Sequence, residues 1–151
     1  MRQKFIFTLL ALLVSSSIVK SQNIENVSKE ENKFVYSNSV KLFLGDSIYI
    51  EANNTSKMLS DFVKVNSIAD STKTISFKFT YDKFGSNNAS VLKVSNPFSK
   101  VLSYKAKIRI APGKRYSETS IMPVWGGIFG MEMWPYKIES IILYDFELKE
   151  Q

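Results

Sequence analysis

The stretch VLSYKAKIRI, Val101–Ile110, decides the fold class of this chain. Apolar side chains occupy every second position, and serine, lysine and arginine occupy most of the positions between them. The apolar set is Leu102, Tyr104, Ala106, Ile108 and Ile110. Because side chains of a β-strand alternate between the two faces of a sheet, this pattern predicts a strand with one buried and one solvated face.

The same alternation occurs on both sides of that stretch. Thr74–Tyr81 predicts a strand that buries Ile75, Phe77, Phe79 and Tyr81. A strand near the end of the chain is expected to bury Ile142, Tyr144, Phe146 and Leu148. Its other face starts apolar and ends acidic, so the first half is expected to be covered on both sides. Shorter strand candidates are Val40–Leu44, Ser47–Ala52, Phe62–Val65, Ser90–Ser95 and Ser117–Met122. No segment keeps a helical period over three turns, so we expect an all-β protein.

Seven or eight short strands separated by turn residues predict a single antiparallel β-sandwich over residues 34–151, immunoglobulin-like or jelly-roll in type. Gly45 and Asp46 separate two of the strands and predict a two-residue hairpin, because glycine permits the positive φ that such turns need. A barrel that holds an interior ligand is the alternative architecture.

The first residues have the order of a secretory signal peptide. Arg2 and Lys4 precede the largely apolar run Phe5–Val14, and Val19 and Ser21 place small side chains where a signal peptidase reads the chain. We therefore expect a signal peptide at 1–21, a flexible polar segment at 22–33, and an extracytoplasmic location, periplasmic or secreted. The apolar run is too short to span a bilayer, so no membrane span is expected.

Composition excludes several kinds of chemistry. The chain has no cysteine and no histidine, which removes disulfides, thiol nucleophiles, Ser-His-Asp triads and the usual zinc sites. The formal net charge of +6 falls to +3 once Arg2, Lys4 and Lys20 leave with the signal peptide. That excess is small and dispersed, so nucleic acid is not expected as a partner. We expect a monomer without a metal or cofactor.

The segment PVWGGIFGMEMWPY, residues 123–136, holds both tryptophans of the chain. Its glycines and prolines predict a loop, and loops at the end of a rigid sandwich often carry function. The candidate ligand-binding residues are Trp125, Phe129, Glu132, Trp134 and Tyr136, with Trp134 as the expected anchor. The alternative is that Trp125, Phe129 and Trp134 fold back and plug the open end of the sandwich, and we expect at least one tryptophan to be mostly buried.

Other candidate groups have a structural explanation. Lys105, Lys107 and Arg109 share one strand face and are expected to meet acidic residues of a neighbouring strand, such as Asp145 and Glu147. Residues 90–93 spell Ser-x-x-Lys, but that hydrolase motif requires a helix, and this segment is predicted to be a strand.

The chain resembles small secreted β-sandwich proteins of unassigned function from Gram-negative bacteria. The likeness rests on the signal peptide, on Val94–Lys100 and on the run from Trp134 to Phe146. It covers about the last 75 residues and implies no catalytic motif.

Together these patterns predict a non-catalytic extracytoplasmic module that binds a glycan or a protein through the aromatic loop. One alternative is a small hydrolase that uses a pair of carboxylates, drawn from Glu118, Glu132, Asp145 and Glu147. The other is a β-barrel carrier whose cavity for an apolar ligand is lined by Phe77, Phe79 and Tyr104.

Overall fold

The structure, a computed structural model, describes residues 35–150, and all of their regular secondary structure is β-strand. The signal peptide predicted at 1–21 and the flexible segment predicted at 22–33 lie outside the described residues. The strands are β1 (Val35–Tyr36), β2 (Ser39–Phe43), β3 (Ser47–Asn53), β4 (Ser60–Val65), β5 (Ile75–Phe84), β6 (Asn87–Ser95), β7 (Val101–Ile110), β8 (Ser117–Thr119), β9 (Phe129–Trp134) and β10 (Ile138–Lys149).

These strands form two antiparallel sheets. Sheet A has the order β1-β2-β10-β7-β8, and sheet B has the order β4-β3-β5-β6-β9. The sheets pack together as a β-sandwich, which confirms the predicted all-β antiparallel architecture. The strands described number ten rather than seven or eight, because β1 is only two residues long and β9 lies in the stretch that we expected to be a loop.

Four aromatic rings, centred on Phe146 of β10, meet in the space between the sheets. The Phe146 ring meets Phe62 edge-on at 5.1 Å between ring centroids and Phe77 at 6.0 Å, and it stacks on Tyr104 at 5.3 Å. Phe62 and Phe77 belong to sheet B, whereas Tyr104 and Phe146 belong to sheet A. One ring therefore joins the inner faces of both sheets.

The predicted strand at Val101–Ile110 matches β7, and Leu102, Tyr104, Ala106 and Ile108 are buried as expected. Ile75, Phe77 and Phe79 of β5 are buried as well. The prediction is wrong for Ile110 and Tyr81, which are exposed. Ile110 is the last residue of its strand, and the β5 residues after Tyr81 are all exposed. At both strand ends the alternation of apolar residues therefore continues beyond the region that the other sheet covers.

In β10 Phe146 and Leu148 are buried as predicted, and the first half is covered on both faces as expected, but its more deeply buried face is that of Ile141 and Leu143. Ile141 and Leu143 are fully buried, whereas Ile142 and Tyr144 are only partly covered. The pairing with β7 shifts register between Tyr144 and Glu147, and Asp145 between them has a φ of 54°. This β-bulge inserts one residue and exchanges the two faces of the strand, so that Phe146 points inward.

The turn at Gly45-Asp46 connects the two sheets and is not a hairpin. Gly45 has the expected positive φ of 96°, but β2 before it lies in sheet A and β3 after it lies in sheet B. The turn bonds to β5 instead, since Gly45 N–H donates to the Phe79 carbonyl (2.8 Å) and Phe79 N–H donates to the Asp46 carbonyl (2.9 Å). The tight hairpin lies at Gly85-Ser86, between β5 and β6.

Candidate functional site

The predicted aromatic loop contains a strand. Residues Phe129–Trp134 form β9, which pairs with β6 along its whole length, from Ser95 opposite Phe129 to Ser90 opposite Trp134. The loop prediction gave weight to the glycines and missed the two-residue period. Only the turn before the strand, where Gly127 has a φ of 73°, uses glycine for its backbone freedom.

The inward face of β9 holds Gly130, Glu132 and Trp134. Trp134 is 7% exposed, and its Nε1–H donates to Thr119 Oγ1 at 3.2 Å. Gly130 lies so close to Val124 that an added Cβ would stand 2.6 Å from the valine Cγ2. Trp134 is therefore a core residue and not the expected surface anchor, whereas the expectation that one tryptophan is mostly buried is confirmed.

Glu132 projects from the same face as Trp134, but its carboxylate is engaged within the chain. Its Oε1 accepts a hydrogen bond from Met122 N–H at 2.6 Å. Burial, and to a smaller extent the negative charge of Glu132, raise the pKa of the Tyr104 phenol. The carboxylate thus holds the segment that leads out of β8 instead of standing free for a ligand.

The outward face of β9 carries three exposed apolar side chains. Phe129 is 64% exposed, and Met131 and Met133 are each 44% exposed. We call these three residues the β9 strip. Other exposed apolar side chains of the same part of the chain are Met122, Trp125, Ile128 and Tyr136. Single exposed apolar residues are common on proteins, but a contiguous set is typical of interaction sites.

A buried asparagine fixes the turn that leads into β9. Asn96 is 1% exposed, and its Nδ2 lies 2.8 to 3.1 Å from the carbonyl oxygens of Lys100, Val124 and Trp125. Its backbone N–H donates to the Ile128 carbonyl at 2.9 Å. The chain crosses between the sheets twice at this end, at 96–100 and at 124–128. Both crossings are therefore held by the side-chain amide of Asn96. The sequence places Asn96 in the Val94–Lys100 motif but gives no sign of this role.

Ser90 and Tyr136 form part of the structural frame. Ser90 Oγ donates to the Tyr136 carbonyl and accepts from Ile138 N–H, both at 2.9 Å, and the Ser90 side chain is fully buried. Its segment is part of strand β6, as predicted, so Ser90 and Lys93 do not share a face. Tyr136 keeps its ring partly exposed while its backbone is held by Ser90.

The basic residues of β7 lie beside carboxylates. Lys105 pairs with Asp145 at 3.0 Å, as predicted, and this carboxylate raises the pKa of the lysine. Lys107 lies 3.9 Å from Glu118, and Arg109 lies 3.1 Å from Glu139. These carboxylates offset the positive charge of the three basic side chains on the outer face of β7, which we call the β7 stripe.

The expected partner Glu147 binds other lysines. It contacts Lys57 and, at 3.3 Å, Lys149, and the hydrogen bond from Lys57 lowers the pKa of Glu147. The prediction that Glu147 faces the β7 stripe is therefore wrong.

The carboxylates considered for a hydrolase are each held by a different part of the chain. Glu118 accepts from the Tyr144 hydroxyl at 3.0 Å, Glu132 from Met122, and Asp145 and Glu147 pair with the lysines named above. Within residues 35–150, no group of three or more aspartate, glutamate, histidine or cysteine side chains is arranged to hold a metal ion.

Two depressions lined by described residues bear on ligand binding. The larger, about 760 Å³, lies between segments 54–57, 97–100 and 148–150, and its lysines Lys57 and Lys100 pair with Glu147 and Glu150. The smaller, about 440 Å³, lies on the outward face of sheet B and includes Phe129 of the β9 strip.

Comparison of the chain with protein-family models, curated protein sequences and solved structures found no match. The resemblance to small secreted β-sandwich proteins therefore stays a prediction. In the described part of the chain, no helix has the length and apolarity needed to cross a membrane.

Proposed function

We propose that this chain is an extracytoplasmic, non-catalytic binding module that takes a protein partner at strand β9. The observation that carries the proposal is the β9 strip, in which Phe129, Met131 and Met133 stand exposed on one face of a strand at the edge of its sheet. The basic segment and apolar run at 1–21 support export, after which the mature chain begins near Gln22.

The position of β9 suits the addition of a partner strand. It pairs with β6 on one side and is the last strand of sheet B on the other. An edge strand offers backbone donors and acceptors to an incoming chain, and side-chain contacts on its face then select the partner. A partner strand laid against β9 would have the β9 strip beside its own outward side chains.

The chemistry of the strip favours a protein over a glycan. Methionine is flexible and polarisable, so Met131 and Met133 adapt to the irregular apolar surface of a partner. Among the candidate ligand-binding residues only Glu132 is charged, and it projects from the opposite face and accepts a hydrogen bond from Met122 N–H.

The two alternative functions have less support. A carrier of an apolar ligand needs an empty interior, whereas Phe77 and Tyr104 pack against Phe146 between the sheets. A hydrolase needs two carboxylates free to act on a substrate, and the four candidates are engaged with lysines, a tyrosine and a backbone amide. A non-catalytic role is therefore the function that the geometry favours.

Site-specific photo-cross-linking tests the proposal in the organism's own cells. A benzoylphenylalanine placed at Phe129 should give a discrete adduct with another protein. The matched control places it at Val63, which is equally exposed at 60% but lies on β4, the opposite edge of sheet B. The intact mass of the exported chain, expected to begin near Gln22, checks the location in the same preparation.

A charge substitution then tests the role of the strip. With the partner identified by the adduct, Met131→Lys should weaken binding by on the order of tenfold or more, since a buried unpaired charge is costly, while Val63→Lys leaves it unchanged. An adduct of twice the chain mass would make the partner a second copy and overturn the monomer prediction. Equal adducts from both edges, or full binding by Met131→Lys, would refute the proposal.

A further inference from the structure

The smaller depression differs from the larger one in charge, because its lining includes lysines and no acidic residue, whereas the larger one includes Glu150. It lies on the outward face of sheet B, and its volume of about 440 Å³ falls in the range of roughly 300–1,000 Å³ common for ligand sites. Two lysines, Lys78 of β5 and Lys93 of β6, form part of its lining. It shares Phe129 with the β9 strip, whereas Met131 and Met133 are not part of its lining.

The two lysines are directly opposite each other. The register of β5 and β6 pairs Lys78 with Lys93, which places their side chains on the same face about 5 Å apart at the Cβ atoms. Like charges in that position destabilise a sheet. Within residues 35–150 neither lysine has an ion pair, whereas Lys105 and Lys107 on sheet A each lie beside a carboxylate.

The next row of the same face has two hydroxyls between two aromatic rings. Tyr49 lies opposite Ser76, Ser76 opposite Ser95, and Ser95 opposite Phe129. This row runs about 7 Å from the lysine row, since residues two apart on a strand share a face. All four side chains line the depression, so an aromatic ring stands at each end and two hydroxyls stand between them.

We propose that this depression binds a saccharide that carries carboxylate or sulfate groups. The ammonium groups of Lys78 and Lys93 would hold the anionic substituent, which removes their mutual repulsion. Ser76 and Ser95 would exchange hydrogen bonds with sugar hydroxyls. The rings of Tyr49 and Phe129 would pack against the apolar faces of the sugar rings.

Titration calorimetry with short defined probes tests this site on the full exported chain. Trigalacturonate supplies carboxylates, a heparin-derived tetrasaccharide supplies sulfates, and maltotriose is the neutral control. We expect at least one acidic probe to bind, with an affinity that falls as sodium chloride is raised, and maltotriose not to bind. The acidic probe that binds more tightly identifies the anionic group.

Matched lysine variants locate the site. Lys78→Gln and Lys93→Gln should each weaken binding by on the order of tenfold, the effect of losing one charged hydrogen bond. Lys83→Gln makes the same charge change at an exposed position near the end of β5 and should leave binding unchanged. Equal losses in all three variants, or no binding of either acidic probe, would overturn the proposal.

Two further variants keep the result separate from folding and from the proposed function. Lys93→Glu should abolish binding yet raise the thermal midpoint, because it replaces a repulsive pair with an attractive one opposite Lys78. Met131→Lys, which should disrupt the protein partner, adds a cation opposite Lys93 and should preserve or strengthen saccharide binding. If inorganic sulfate bound as tightly as the tetrasaccharide, the depression would be a site for simple anions, and the proposal that it binds a saccharide would be refuted.

Discussion

The single residue Tyr104 makes the stability of this core depend on pH in the alkaline range. Its ring stacks on Phe146 between the sheets, and only 7% of its surface is exposed. Burial is the main reason that its pKa is raised above the ordinary value of 10.0, and the charge of Glu132 adds to the effect. The folded state therefore retains the phenol proton at pH values where the unfolded chain releases it.

The sign of the resulting pH dependence is fixed by that difference. Above pH 10 the unfolded chain binds fewer protons than the folded one, so the free energy of unfolding falls as the pH rises. Replacing Tyr104 by phenylalanine should remove about 1 kcal/mol of the decline between about pH 10 and pH 11. Urea unfolding at both pH values measures it, with Tyr81→Phe as the control at a more exposed ring. Identical declines in wild type and Tyr104→Phe would contradict the prediction.

At the scale of the element, β9 and β10 show what alternation does and does not report. In β9 a period of two was present, yet glycine content suggested a loop. In β10 the alternation predicts the buried face correctly after Asp145. Before Asp145 the more buried face is the opposite one, because the bulge inserts one residue. A bulge leaves no mark in local hydrophobicity, since its position depends on the pairing with β7.

The backbone of that bulge is open to test. Asparagine adopts positive φ more readily than other non-glycine residues, whereas a β-branched residue does so only with strain. Asp145→Asn and Asp145→Val both lose the ion pair to Lys105, so their difference isolates the backbone. We expect Asp145→Val to be less stable than Asp145→Asn by about 1 to 2 kcal/mol in urea denaturation. Equal stabilities would mean that the strand avoids the bulge without cost.

At the scale of the whole sandwich, the ring of Phe146 couples the two sheets. The last strand, β10, lies at the centre of sheet A between β2 and β7, and its Phe146 reaches Phe62 and Phe77 of sheet B. Sheet A therefore cannot be completed until the end of the chain is in place. We infer that the two sheets unfold as one cooperative unit.

Truncation of the shared ring measures that coupling. Phe146→Ala should lower the free energy of unfolding by about 3 to 5 kcal/mol, the usual cost of removing a buried phenylalanine. Phe84→Ala, at a ring 60% exposed at the β5–β6 hairpin, should change it by no more than about 0.5 kcal/mol. Tryptophan fluorescence and far-ultraviolet circular dichroism should report a single transition in urea. Two separate transitions would show that the sheets unfold independently.

The sequence by itself determined the all-β class, the buried faces of β7 and of most of β5, and the positive φ at Gly45. Each of these follows from local chemistry, either the two-residue period of a strand or the freedom of a glycine backbone. The lack of histidine and cysteine likewise narrowed the possible chemistry.

Only the tertiary structure decided which residues form the candidate sites. Trp125 and Trp134 belong to one short segment of the sequence, yet Trp125 is 58% exposed and Trp134 is buried. The opposition of Lys78 and Lys93, and the place of β9 at the edge of sheet B, are likewise products of strand pairing. The physical reason is that sheet partners, bulges and edges depend on contacts between residues far apart in the chain, and hydrophobic alternation carries no record of which strand lies alongside.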